Sequence, residues 1–280
     1  MNEFSPLVSV IVTSYNRANY IGVCIESILK STFVNFEIII VDDNSRDNSF
    51  SIIKNYAECD LRIKAYLNVN NLGDYPNRKL AISYSNGILI KFVDCDDFIT
   101  PDCLQIMVDE MNRHPQIPFG ICLKNAKKTS ILSTLEAFDS GILNYYGPTG
   151  SIFRKNKYIE LGGFKNRITV SDWDMWSRFA LDGQIIAFQD NIAVWRDHDS
   201  NTLKSESHIL GVIRFYILTK SEILFNDQYP FDKAASRKHF KKEYIAILKL
   251  AIKKSLQYKK LKYFILFLKY NFNFFFKYLL

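Results

Sequence analysis

The run KFVDCDDFITPD, residues 91–102, places three carboxylates within four positions: Asp94, Asp96 and Asp97. Carboxylates this close repel one another, and burial without partners adds to the cost. Local structure, a basic side chain or a bound metal ion could each offset that repulsion. Local structure accounts for the end of the run, where Thr100, Pro101 and Asp102 read as N-cap, first helical position and first-turn acid. It leaves Asp94 and Asp96 unexplained. One residue apart, these two point to the same side of an extended backbone. Paired oxygens of that kind suit a hard divalent cation, Mg2+ or Mn2+, that also holds phosphate oxygens. The spacing alone leaves both readings open.

Other residues carry weaker signals. Asp42 and Asp43 in IIIVDDNS make an ordinary Asx-rich turn, or one of them accepts a hydrogen bond from a base or ribose. In SDWDMW, Trp173 and Trp176 are most simply core residues of a helix with Asp172 in its first turn. The sharper reading makes Asp172 a general base beside aromatic walls that bind a sugar face. His198 in WRDHDSN is either polar surface or a metal or phosphate contact. Arg78 and Lys79 are either surface charges or partners for a pyrophosphate. No GxGxxG follows the first strand and no GxxxxGK[ST] occurs, so dinucleotide and P-loop readings lose their support.

The elements that must position these residues alternate. LVSVIVT (7–13), FEIIIVDD (36–43), LRIKAYLN (61–68) and ILIKFV (88–93) read as strands. Helical patterns separate them, the last being NRKLAISYSNG with Gly87 as its cap. This predicts a doubly wound α/β sheet with parallel crossovers. Open sheets of this kind bind ligands outside the carboxyl ends of their strands, where Thr13, Tyr15, Asp42, Asp43, Asp94, Asp96 and Asp97 all fall. Further on, 117–123 and 150–155 read as strands, GGF (162–164) as a turn and 170–181 as a helix. The stretch 124–148 is polar and aperiodic and reads as a loop or lid.

Of the 280 residues 48% are hydrophobic, enough for a large core. The formal charge of +7 is uneven: from Asp232 onward thirteen Lys/Arg face two Asp/Glu, which leaves the remainder near −4. A nucleic-acid role for the whole chain is therefore excluded. The five cysteines are scattered without a CxxC pair, which points to reduced thiols rather than disulfides or zinc. The first residues lack a basic region and begin a strand better than a signal peptide. No window offers about 18 uninterrupted apolar residues.

In order, VSVIVTSYNRANYIGVCIESIL, FEIIIVDDNSRDNS, NLGDYPNRKLAISYSNGILIKFVDCDDFITPD, GGF with SDWDMW, and WRDHDSN resemble glycosyltransferase family 2, the inverting enzymes of GT-A fold. The resemblance covers about residues 5–205. It implies a GT-A type doubly wound, mainly parallel sheet flanked by helices, with a helical C-terminal extension. The domains would be 1–208, with a nucleotide-sugar half to about 100 and an acceptor half beyond it, and a tail 209–280. It implies that Thr13 and Tyr15 meet the nucleotide, the ring stacking on uracil, and that Asp43 binds the base with Asp42 beside it. Arg78 matches a basic residue near the nucleotide. Asp94-Cys95-Asp96 matches the DxD motif, its first acid facing ribose and Asp96 and Asp97 holding Mn2+ or Mg2+ on the diphosphate, with His198 as a further contact. Asp172 matches the base, and Ser171 stands where the family commonly has an acid. Trp173 and Trp176 would face acceptor and sugar.

The implied activity is transfer of a hexosyl or N-acetylhexosaminyl group from a UDP-sugar to a glycan or lipid-linked glycan. Bacterial capsule, lipopolysaccharide or O-antigen synthesis is the setting, in the cytoplasm or peripherally on the inner face of the membrane. The tail mixes lysines with large apolar residues at helical spacing. It reads either as an appendage packed on the catalytic domain or a second subunit, or as a helix lying on anionic lipid. The rivals are a sugar-phosphate nucleotidyltransferase, which lacks its phosphate loop here, and a non-catalytic nucleotide-sugar-binding scaffold.

Overall fold

The computed structural model describes residues 5–140, 143, 147–165, 170–198, 206–225, 232–257 and 260–278. The chain divides into two compact units, Met1–Asn166 with Met175–Arg196 and Arg167–Asp174 with Asp197–Leu280.

The first unit is built on strands β1 (Val8–Ser14), β2 (Phe36–Asp42), β3 (Ile63–Leu67) and β4 (Leu89–Phe92). After them come β5 (Phe98–Ile99), β6 (Phe119–Cys122), β7 (Ser130–Leu132), β8 (Ser151–Arg154), β9 (Ile185–Phe188) and β10 (Ala193–Val194). Eight of them form one sheet in the order β3-β2-β1-β4-β8-β6-β9-β7, while β5 and β10 pair separately. β1 to β4 run parallel; β8 lies antiparallel between β4 and β6. Helices α1 (Ala18–Leu29), α2 (Ser49–Cys59) and α3 (Asp74–Ser83) connect the parallel strands, and α4 (Cys103–Arg113) leads to β6.

Strand periodicity sorts the core onto two faces. Val8, Val10 and Val12 pack with Ile21, Cys24, Ile25 and Ile28 of α1 and with Met107 and Met111 of α4. Each such side chain contributes about 2 kcal/mol on burial. The opposite face is aromatic: the Phe92 ring lies 5.6 Å from Phe153 and 5.9 Å from Phe164. Phe119 stacks on Trp176 at 4.9 Å and on Phe179 at 5.0 Å.

The second unit contains helices Glu206–Leu224, Lys233–Gln257 and Lys262–Tyr278. They share a core of Ile209, Ile213, Phe240, Tyr244, Ile247, Ala251, Tyr263 and Phe267. Inside it the Asn271 amide donates to the Ile213 carbonyl at 2.7 Å. Among the described residues no helix is long and apolar enough to cross a membrane.

Three local expectations are corrected. Gly87 does not cap a helix, because α3 already ends at Ser83 with Tyr84 as its cap. A Cβ at Gly87 would sit 2.4 Å from the Ser9 nitrogen, so this glycine permits the close approach of the chain entering β4 to β1. Thr100 is not an N-cap either: α4 starts at Cys103 with Asp102 in the cap position. The Thr100 N–H instead donates to the Ile192 carbonyl, and its hydroxyl donates to Asp102. Finally, the supposed loop 124–148 contains β7 and the helix Thr134–Asp139. Ser133 and Glu136 close a capping box there, which fixes a short helix that its apolar pattern does not announce.

Candidate active site

The carboxyl ends of β1, β2 and β4 meet at one sheet edge. Thr13 lies beside Val41, Ser14 beside Asp42 and Ile11 beside Phe92. Past β1 and β2 the chain turns through left-handed residues, Asn16 (φ 53°) and Asn44 (φ 63°), a conformation asparagine tolerates well. The two turns are tied together: the Asn16 N–H donates to Ser45 Oγ, and the Arg46 N–H donates to Asn16 Oδ1, both at 2.8 Å.

The two acids after β2 have separate tasks. Asp42, fully buried, accepts from the Ser45 N–H and hydroxyl at 2.7 Å each, so it shapes its own turn. Asp43 reaches across to the loop before α3 and accepts from Asn68 Nδ2 at 2.7 Å and from the Leu72 and Gly73 N–H groups at 2.8 Å. A carboxylate offers about four acceptor positions, so one remains at Asp43 for a further donor. Thr13 is buried at the same edge, while the Tyr15 ring is 43% exposed.

Arg78 is buried, yet charged. Its Nε donates to Asp74 Oδ1 at 2.7 Å, and its Nη2 lies 2.8 Å from Asp94 Oδ1. Burial favours loss of its proton, but Asp74 and Asp94 outweigh that and raise its pKa. The guanidinium also lies over Phe92, 5.3 Å from the ring centre. Nη1 is buried without a hydrogen-bond acceptor, a donor suited to an anionic oxygen.

Each remaining acid of the cluster has a different partner. Arg17 Nε donates to Asp96 Oδ2 at 3.0 Å. Asp97 accepts from the Thr149 hydroxyl at 2.6 Å on one oxygen and from the Arg196 N–H at 3.0 Å on the other. Burial, followed by the charge of Asp94, pushes the Asp97 carboxyl up to about 7 despite those two bonds. Thr149 Oγ1 also accepts from the Asp94 N–H at 2.9 Å, so one hydroxyl ties both acids. Cys95 turns its thiol into the apolar core, where burial and then Asp96 push its pKa well above the usual range. At the edge it offers only backbone.

Asp172, Trp173 and His198 belong to the second unit. Asp172 lies in the first turn of the helix Ser171–Leu181 and accepts from the Trp173 N–H at 2.7 Å. Trp173 is buried, with the Tyr216 ring 5.8 Å away and the Lys220 ammonium 4.7 Å from its ring centre. Trp176, in the first unit, is fully buried in the aromatic core. Both tryptophans therefore match the core reading of SDWDMW. His198 is partly buried.

Hard carboxylate oxygens at a strand end match Mg2+ or Mn2+ in chemistry. Among the described residues no three His, Cys, Asp or Glu side chains are grouped to hold a metal ion. Asp97 has both oxygens engaged by protein donors, whereas the Asp96 side chain keeps 17% of its surface exposed. The residues thus fit an ion bound through one or two carboxylates and completed by diphosphate oxygens and water, not a protein cage.

Arg17, Thr149 and Arg196 bond to the acid cluster, and the sequence motifs give them no role. Arg17 has a legible signal, a cation just past the first strand and facing an acid cluster at the same edge. Thr149 has none, since it is 52 positions from Asp97 in a stretch without periodicity.

The mixed sheet, with β1 to β4 parallel and an acid cluster past β4, has the GT-A fold. The glycosyl transferase family 2 model matches residues 9–166. The chain belongs to that family and is a glycosyltransferase. A glycosyltransferase of Streptococcus pneumoniae, GlyG, is 36% identical over 226 residues, covering 72% of this chain and 74% of its own. Against an uncharacterized glycosyltransferase of Haemophilus influenzae the chain spans 55% of the relative's length, at 36% identity over 138 residues and 48% of this chain. Among solved structures, TarS of S. aureus in complex with UDP-GlcNAc aligns with a TM-score of 0.65 at 21% identity, over 83% of this chain and 70% of that one. A mannosyltransferase of Pyrobaculum calidifontis with GDP-Man and Mn2+ gives 0.64 at 16% identity, over 89% and 76%. These two likenesses concern the fold.

Proposed function

We propose that this chain is an inverting transferase that moves a sugar from a UDP-sugar to an acceptor hydroxyl. The observation that carries the donor side is the buried Arg78 guanidinium, paired to Asp94 and with one donor left over. In this reading Tyr15 stacks on the base, Thr13 and Asp43 bind it, and Arg78 and Asp94 take diphosphate and ribose. Cys95 contributes backbone only. Asp96 would hold Mn2+ or Mg2+, with Asp97 and Thr149 fixing its position. Such an ion, when bound, stabilises the charge that develops on the departing diphosphate.

Asp172 removes the proton from the acceptor hydroxyl. The acceptor oxygen then bonds to the anomeric carbon as the bond from that carbon to the diphosphate oxygen breaks, and UDP departs with the electron pair. Attack opposite the leaving group inverts the anomeric centre. His198 is a further phosphate or metal contact in this scheme, and the buried tryptophans support the helix carrying Asp172 rather than the sugar. A Campylobacter jejuni relative, 34% identical over 119 residues and named a GalNAc(5)-diNAcBac-PP-undecaprenol beta-1,3-glucosyltransferase, supports a lipid-linked glycan as acceptor and surface polysaccharide synthesis as the setting.

The test is a panel of UDP-, dTDP- and GDP-sugars assayed for metal-dependent donor hydrolysis and for the anomeric configuration of transferred product. UDP-sugars should be cleaved, and Asp172→Asn should lose transfer at least about a hundredfold while keeping UDP binding. Retained configuration in the product, or full transfer by Asp172→Asn, contradicts the reading.

A further inference from the structure

The helix Lys233–Gln257 has two opposed faces. Phe240, Tyr244, Ile247 and Ala251 point into the bundle core. With successive residues about 100° apart, the other side carries Ile245, Ile252 and Leu256, which are 39%, 42% and 75% exposed. On the same wheel Lys241 borders this apolar strip on one side and Lys249 and Lys253 on the other, all three exposed. The helix as a whole has eight Lys/Arg against one Glu. A shallow depression lined by Lys241, Lys242, Ile245, Ala246 and Lys249 lies on this face. The helix Lys262–Tyr278 shows the same arrangement: Tyr263 and Phe267 are buried, while Ile265 and Leu268 are exposed beside Lys269.

We infer that the outward face of the helix Lys233–Gln257 docks on an anionic lipid bilayer surface. An apolar strip flanked by lysines suits the boundary between headgroups and acyl chains, with the ammonium groups reaching outward to the anionic headgroups. The charge selects this occupant. A second copy presenting the same face would set lysines against lysines, and a nucleic acid would leave the apolar strip without a partner. The helix lies on the surface rather than crossing it, as its charge requires.

The test is sedimentation of the full chain with phosphatidylcholine vesicles, with and without about one third phosphatidylglycerol. Each lysine at an anionic surface contributes about fivefold to partitioning. The triple change Lys241→Glu, Lys249→Glu and Lys253→Glu should therefore weaken binding at least about a hundredfold. Ile245→Ser with Ile252→Ser and Leu256→Ser should also weaken it, with unchanged circular dichroism and melting because these residues are exposed. Vesicle binding needs neither donor nor metal, so this test stands apart from that of the catalytic reading. Absence of binding to the anionic vesicles, equal binding by the parent and both variants, or a dimer that the apolar variant dissolves would overturn the inference.

Discussion

Thr149 carries two of the bonds that keep the acid cluster in order, donating to Asp97 and accepting from the Asp94 N–H. Mutual repulsion of three acids is thus divided among Arg78, Arg17 and a hydroxyl rather than left to one counter-ion. Thr149→Val keeps the shape and removes both bonds. It should cost about 2 kcal/mol in denaturant unfolding. UDP affinity measured with Mn2+ should fall about tenfold or more, because Asp94 and Asp97 lose their common tether. An unchanged affinity would detach Thr149 from donor binding. The acids themselves are legible in KFVDCDD, but their partners are not. Spacing reports which groups are neighbours along the chain, whereas Thr149 and Arg196 arrive from strands and turns far along it.

At the scale of elements, the strand ends depend on how β1, β2 and β4 are held. Glu37 on β2 is buried, accepts from the Ser9 hydroxyl at 2.6 Å and from the Asn86 N–H at 2.6 Å, and pairs with Lys64 at 2.7 Å. It therefore joins the neighbouring strands and the turn into β4. Glu37→Ala leaves buried donors without acceptors and should destabilise the fold by about 3 kcal/mol. Burial raises the Glu37 pKa, but hydrogen bonds from Lys64, Ser9 and Asn86 outweigh it, and the net pKa lies below the ordinary 4.5. A carboxyl lowered in the folded state adds stability above its unfolded pKa and loses it as pH falls through the folded value. The stability difference between the parent and Glu37→Gln should be constant near neutrality and narrow below pH 4.5, as followed by urea melts. A difference that widens on acidification contradicts the assignment. Gly87→Ala should cost about 2 kcal/mol by forcing the turn away from Ser9. Measured stability equal to the parent would contradict the close approach to β1. The strands were legible because continuous β-branched runs have few alternatives. Gly87 is not legible in the sequence, because a glycine after a helical pattern looks alike whether it ends the helix or passes close to a strand.

On the scale of the whole molecule, sequence pattern and structure agree on the doubly wound sheet and the helical tail. They part in the 124–148 stretch, where Ser133 and Glu136 determine a helix by capping. The charge asymmetry also gains a location: the tail's lysines border an exposed apolar strip. In the proposed function the β1, β2 and β4 strand ends bind a metal–nucleotide donor through Arg78 and Asp96. Calorimetry of UDP binding, with Mn2+ and with chelator, on the parent chain and on Asp96→Asn tests it most directly. The parent should bind UDP only with Mn2+, and Asp96→Asn should lose at least about tenfold in affinity. Equal UDP binding in chelator, or undiminished Mn2+-dependent binding in Asp96→Asn, would contradict it.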